Sequence, residues 1–283
     1  MFERISRSIE LVKTSWHVLM EDKKLLIFPL ISAIVMLLVI GTFILPIIFS
    51  KGAISLDTHS VLGVILLFLF YLVSYFVVIF FNVGLISCVN AKLQGNNMTV
   101  GEGFSEAGRH IGSILAWAVI AATVGLVLRM IEDRAGVAGQ VAAGIAGGVW
   151  SLVTMFVVPV LIFEEKGVYD SIKGSVSLFK KTWGESIVGS LSIGLIFFVI
   201  GIVVFLLVLA TYFLGNIIIF FAACALFIVI VAILGILASA MHGIFVVVLY
   251  RYAKTGQVPA TFNRELIEKA FTPKSQKLRG GNI

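Results

Sequence analysis

Between positions 25 and 250 the chain passes through six apolar stretches, none shorter than the ~18 residues that mark a membrane-crossing helix. They cover 25–50, 61–87, 111–128, 141–163, 187–213 and 217–250, and their boundaries carry Glu21-Asp22-Lys23-Lys24, Asn90 with Lys92, Arg129 with Glu132, and Glu164-Glu165-Lys166. A water-soluble fold has no place for such runs. Hydrophobic residues make up 60% of the 283 positions and charged residues 13%, against about a quarter charged in a soluble domain. The sequence therefore specifies an all-α, polytopic transmembrane bundle of six spans. The last run, 34 residues long, exceeds the ~20 that a perpendicular helix needs, so it is expected to tilt, to kink near Gly235 or Gly243, or to project beyond the bilayer.

The segments outside the spans are organised by a repeat. Shifting the chain by 167 residues lays 2–16 on 169–183 and matches Ile5 with Ile172, Ser8 with Ser175, Leu11 with Leu178, Lys13 with Lys180 and Trp16 with Trp183. Apolar residues recur at helical spacing in both copies, Ile5, Ile9, Val12 and Trp16 against Ile172, Val176, Phe179 and Trp183, with lysines on the flank. That is the pattern of a helix lying in a membrane interface. Thr99 with Glu102 three residues on reads as a capping box that opens a short third helix of the kind through Phe104, Ala107 and His110. The chain thus divides into three tandem units of interfacial amphipathic helix plus transmembrane hairpin. These are 1–92, 98–164 and 168–254 within a single membrane domain, 1–260, followed by a basic tail, 261–283.

Orientation follows from the loops. Lysines and arginines number 5 before the first span, 2 between the second and third, 4 between the fourth and fifth and 7 after the sixth, against 1, 2 and none in the three opposite loops. By the positive-inside rule both termini and all three interfacial helices belong in the cytoplasm, the protein being multi-pass in the cytoplasmic membrane. The net charge of +6 accordingly reports topology and attraction to anionic lipid, not nucleic-acid binding. No cleavable leader is expected, because the first 24 residues are amphipathic. Cys88 and Cys224, in different apolar runs, build neither a disulfide framework nor a metal cluster.

On four groups of residues the chain resembles a large family of uncharacterised prokaryotic six-span integral membrane proteins, and loosely the membrane domain fused to some glycerophosphodiester phosphodiesterases. They are the amphipathic start with Trp16; Pro159 with Phe163 and Glu164; Ser175 through Trp183-Gly184-Glu185-Ser186; and Leu249-Tyr250-Arg251-Tyr252-Ala253 with Thr255-Gly256 before Pro259. The phosphodiesterase barrel has no counterpart in these residues. The resemblance implies the six-span topology and no hydrolase activity.

Ionisable groups within or beside the spans are the pointers to a solute path, since burying one in hydrocarbon costs at least ~2.5 kcal/mol. They are few. Arg129 is placed to pair with Glu132 and Asp133 on one helical face, Glu164 and Glu165 end the fourth span where the helix dipole disfavours them, and His242 stands alone in the sixth. With Asn82, and with the uncharged Thr123, Ser151, Thr154 and Thr211, these make the candidate pathway or polar interior. The candidate lipid-facing set is Arg4, Arg7, Lys13 and Trp16 in the first copy and Lys173, Lys180, Lys181 and Trp183 in the second. Small-residue faces, Ala143/Gly147/Ser151, Ser186/Ser190/Gly194 and Gly235/Ser239/Gly243, suit close helix contact, chiefly within the chain.

No Ser-His-Asp set, zinc spacing, phosphate-binding loop or acid pair is present, so neither an enzyme nor a cofactor is expected. Two functions fit. A channel or transporter-like pathway, assembled from several copies, would be lined by the polar interior. A lipid-binding or membrane-organising protein would hold anionic phospholipid of the cytoplasmic leaflet on its interfacial helices. The sequence reading places the pathway first, because tandem repeats are common in transporter folds.

Overall fold

A computed structural model describes residues 15–50, 58, 60–134, 136–213 and 216–255, the side chains of 182–192 excepted. All regular structure among these residues is helical. Residues 15–21 are helical and lead through a 3-10 turn, Lys23–Leu26, into α1 (Ile27–Phe49). The others are α2 (Val61–Leu93), α3 (Val100–Arg109), α4 (Ile111–Arg134), α5 (Gly136–Thr154), α6 (Val157–Phe163), α7 (Val168–Tyr212) and α8 (Ile217–Thr255). Local signals start several of them. Ser60 Oγ accepts from the Gly63 amide at 2.9 Å ahead of α2, and Asn216 Oδ1 accepts from the Ile218 and Ile219 amides ahead of α8. At α3 the Thr99–Glu102 capping box forms in both directions.

Six helical stretches are long and apolar enough to cross a membrane: Lys23–Phe49, Val61–Leu93, Ile111–Arg134, Gly136–Phe163, Ile193–Tyr212 and Ile217–Thr255. Their outer faces carry bare apolar side chains such as Leu37, 69% exposed, and Phe49, 78% exposed. Water would not tolerate so continuous a surface, and hydrocarbon is its solvent. The chain is a multi-pass membrane protein.

Two compact units divide it, Ile27–Lys181 and a second made of Met1–Leu26 with Thr182–Ile283. In the first, α2 is the hub and packs on α1, α3, α4 and α6, while α4 packs on α5. Its tightest point is at the end of α2. A Cβ on Gly84 would lie 2.5 Å from Phe28 Cε1, and one on Gly103 would lie 2.7 Å from Phe28 Cζ, 2.8 Å from Cys88 Sγ and 3.1 Å from the Gly84 carbonyl. Glycine at both places lets α3 lie on the backbone of α2 with the buried Phe28 ring wedged beside them, and that ring also meets Phe104, 5.0 Å between centroids. In the second unit, α8 contacts the 3-10 turn, and the ring pairs Phe205–Phe227 and Tyr212–Phe220 join α7 to α8.

Burial repeats along the even spans. Residues 83–89 of α2, 157–162 of α6 and 240–250 of α8, His242 apart, are buried on every side of the helix. Apolar residues all round a helix require this.

Two expectations need correction. The fourth span is not one helix but two, broken between Thr154 and Val157. Pro159 has no amide hydrogen for the Met155 carbonyl and its ring crowds that group, so α5 cannot continue. The second amphipathic copy and the fifth span are joined in the continuous helix α7, since nothing at Gly184-Glu185 stops helical hydrogen bonding. The sixth span, by contrast, runs unbroken through Gly235 and Gly243, and at ~1.5 Å per residue its 39 residues exceed a ~30 Å core, in keeping with a run that tilts or projects beyond the bilayer. Of the small-residue faces, Ala143 is buried and a Cβ on Gly147 would lie 3.5 Å from Leu128 Cδ1, but Gly194 and Gly235 look onto open space. Segment 2–14 and the tail 261–283 lie outside the described residues.

Candidate functional site

The break in the fourth span leaves backbone groups without helical partners in an apolar setting, where each is costly. Ser175 supplies the missing partner. Its hydroxyl donates to the Val153 carbonyl at 2.6 Å and accepts from the Phe156 amide at 3.1 Å, and both Ser175 and Phe156 are fully buried. Gly174 permits the approach, because a Cβ there would come 3.1 Å from Val160 Cγ1. The packed face of the first turns of α7 is thus Ser171, Ser175 and Leu178, with the apolar stripe Ile172, Val176 and Phe179 only half-buried beside it. Thr154 meanwhile donates to the Trp150 carbonyl at 2.7 Å.

The candidate polar interior is not gathered. Arg129 pairs with Glu132 and Asp133, 3.3 Å each, at the end of α4, and Thr58 Oγ1 donates to Asp133 at 2.9 Å. Glu164 pairs with Lys166 at 2.7 Å and holds that amino group above its usual pKa, while Glu165 follows with φ 49°. Asn82 is half-buried in α2, and His242 is exposed on α8 between two buried neighbours. Thr123, like Thr154, spends its hydroxyl on a carbonyl of its own helix, and so does Thr211.

Of the candidate lipid-facing residues, Trp16 is 41% exposed, Lys180 and Lys181 are exposed, and Lys173 lies over the Tyr169 ring at 4.2 Å. Arg4, Arg7, Lys13 and the side chain of Trp183 lie outside the described residues. Sequence reasoning did not single out Glu106, which pairs with Arg109 at 3.2 Å and His110 at 3.1 Å; the i, i+3 and i, i+4 spacing on α3 was the available signal. With Asn96, Asn97 and Glu102 it borders a hollow of about 370 Å³ whose walls also include Ala91 and Met98.

The larger space lies between α7 and α8, a groove of about 400 Å³ lined by apolar side chains and glycine, including Phe197, Gly201, Phe205, Phe227, Gly235 and Ala238. The ring contact of Phe205 with Phe227 spans the two helices, and Gly201 and Gly235 have nothing within 4 Å where a Cβ would stand. Such a space offers dispersion contacts to a hydrocarbon chain and nothing to an ion. Among the described residues no three or more His, Cys, Asp or Glu side chains cluster to hold a metal.

Residues 61–260 match the model of a family described as a family of unknown function (DUF6159). The match takes in the Pro159, Ser175–Ser186 and Leu249–Pro259 groups and begins after Trp16; it carries no link to the phosphodiesterase-fused domain. No curated protein and no solved structure matches the chain.

Proposed function

The chain belongs to this family of unknown function, and from that premise we propose that it is a lipid-binding protein of the cytoplasmic membrane, with both termini in the cytoplasm and no enzymatic activity. The observation that carries the reading is the wholly apolar groove between α7 and α8, set against ionisable groups that are dispersed and mostly paired with neighbours. An ion path would normally present rings of charge. The basic residues gather instead outside the spans, 18 of 21 on one side, where anionic phospholipid attracts each by about 1 kcal/mol. The three-unit plan is supported by the recurrence of all-round burial near the ends of the second, fourth and sixth spans.

The test uses the full chain in nanodiscs of mixed anionic and zwitterionic phospholipid, followed by native mass spectrometry. Retained phospholipid with anionic preference is expected, and replacing Lys13, Lys180 and Lys181 by Gln lowers that preference. Equal retention by the variant and the parent removes the lipid reading. For orientation, in a chain lacking Cys88 and Cys224, an impermeant thiol reagent should label Leu56→Cys but not Ser275→Cys from outside intact cells.

A pathway is the second reading, and the broken fourth span favours it, because transporter sites are commonly built at discontinuous helices. Solute flux through proteoliposomes that exceeds that of empty vesicles would put it first.

A further inference from the structure

We infer that the groove between α7 and α8 is a site for one phospholipid acyl chain, with His242 receiving the polar end of that lipid; this rests on the lipid-binding reading. The groove follows α8 from Phe227 to Ala238, about 16 Å of helix at 1.5 Å per residue, which suits a length of extended chain and not a compact solute. Phe197, Phe205 and Phe227 wall it, and Gly201 and Gly235 open it by the volume of their missing side chains. Leu234 and Ala238 line it, and His242 stands one turn beyond Ala238 on the same helical face. As a residue it is exposed on α8, while Met241 and Gly243 on either side are buried.

The combination is amphiphilic. One helical turn beyond the end of the apolar trough at Ala238 stands His242, whose ring can donate a hydrogen bond to an ester or phosphodiester oxygen. A second protein helix would fit the trough less well. Its own small residues would have to meet Gly201 and Gly235 past Phe205 and Phe227, whose rings already touch across the two helices, 5.9 Å between centroids.

The experiment is photolabelling of the full chain in nanodiscs with a phospholipid that carries a diazirine within one acyl chain, the adducts being mapped by peptide mass spectrometry. Segment 34–48 of α1, whose Leu37 and Leu38 face outward, reports contact with bulk lipid. We expect labelling over 197–205 and 227–238 at least threefold above that reference. Gly235→Leu, at a position where an added Cβ would meet no atom within 4 Å, should fill the groove and bring the labelling down to the reference without altering α1. His242→Ala should lower lipid retention in native mass spectrometry severalfold, with α1 labelling unchanged. Groove labelling at the α1 level with phospholipid still retained overturns this site and leaves the lipid-binding reading standing; loss of all retained phospholipid overturns both. Groove labelling that survives Gly235→Leu likewise overturns the site.

Discussion

The Phe156 amide donates to the Ser175 hydroxyl across 3.1 Å, from a residue 19 positions earlier in the chain. The same hydroxyl donates to Val153 at 2.6 Å, so one side chain satisfies both edges of the broken span. Ser175→Ala leaves a buried amide and a part-buried carbonyl without this partner and should cost about 1–3 kcal/mol. Thermal unfolding in detergent reads the loss, and hydrogen exchange localises it: the Phe156 amide should lose protection well before those of α2. An unchanged Phe156 exchange rate would show that the contact is incidental.

Gly84→Ala and Gly103→Ala should each destabilise by about 1–3 kcal/mol, because the added methyl would press on the buried Phe28 ring and, at Gly103, on Cys88 and the Gly84 carbonyl as well. Gly41→Ala, with nothing within 4 Å of its Cβ, is the matched control and should be neutral or slightly stabilising. Phe28→Leu, combined with Gly84→Ala, should recover part of the loss, since the clash at Gly84 is chiefly with the ring.

The start of α3 should depend on pH. The Thr99 amide, and secondarily its hydroxyl, hold the Glu102 carboxyl below its ordinary value of 4.5. A lowered folded pKa stabilises fully above the ordinary value and ceases to do so as pH falls through the lowered one. Hydrogen exchange over 100–103, corrected for intrinsic rates, should therefore show protection at pH 6 that fades as the pH falls below the ordinary carboxyl value. Glu102→Gln should flatten the profile; a parent profile that is already flat contradicts the assignment.

Glu165 follows α6 with φ 49°, a conformation that glycine adopts without strain. Glu165→Gly should raise stability by about 1 kcal/mol, and Glu165→Val should lower it by a similar amount. Melting curves of the two variants should move in opposite directions from the parent. A shared direction would mean that the side chain, and not the backbone, decides.

The parts legible in the sequence are those that nearby residues determine. The capping box of Thr99 and Glu102 is contained in four positions, and the structure forms it as read. The six apolar runs reappear as six candidate spans because length and hydropathy are additive along the chain. Ser175 was legible as part of a repeated segment but not as a backbone partner, since its acceptor lies 22 residues away and depends on how α7 meets the break. Small-residue spacing was only a partial guide for a related reason. Gly194 and Gly235 fit the pattern of a contact face yet look onto open space, whereas Gly84 and Gly103, on different helices with no shared spacing, make the closest approach. Pro159 announced that a helix could be disturbed; that the chain would restart two residues before it required the packing to be seen.

The order of synthesis gives the Ser175 contact one more consequence. Val153 and Phe156 leave the ribosome 22 and 19 residues ahead of the hydroxyl that serves them, so the fourth span must enter the bilayer with its break still open. Until the next segment emerges and docks, that carbonyl and amide depend on water or on the insertion machinery for partners. The later amphipathic helix therefore completes the fourth span from outside it: a nascent chain halted before position 175 lacks the hydroxyl that serves Val153 and Phe156.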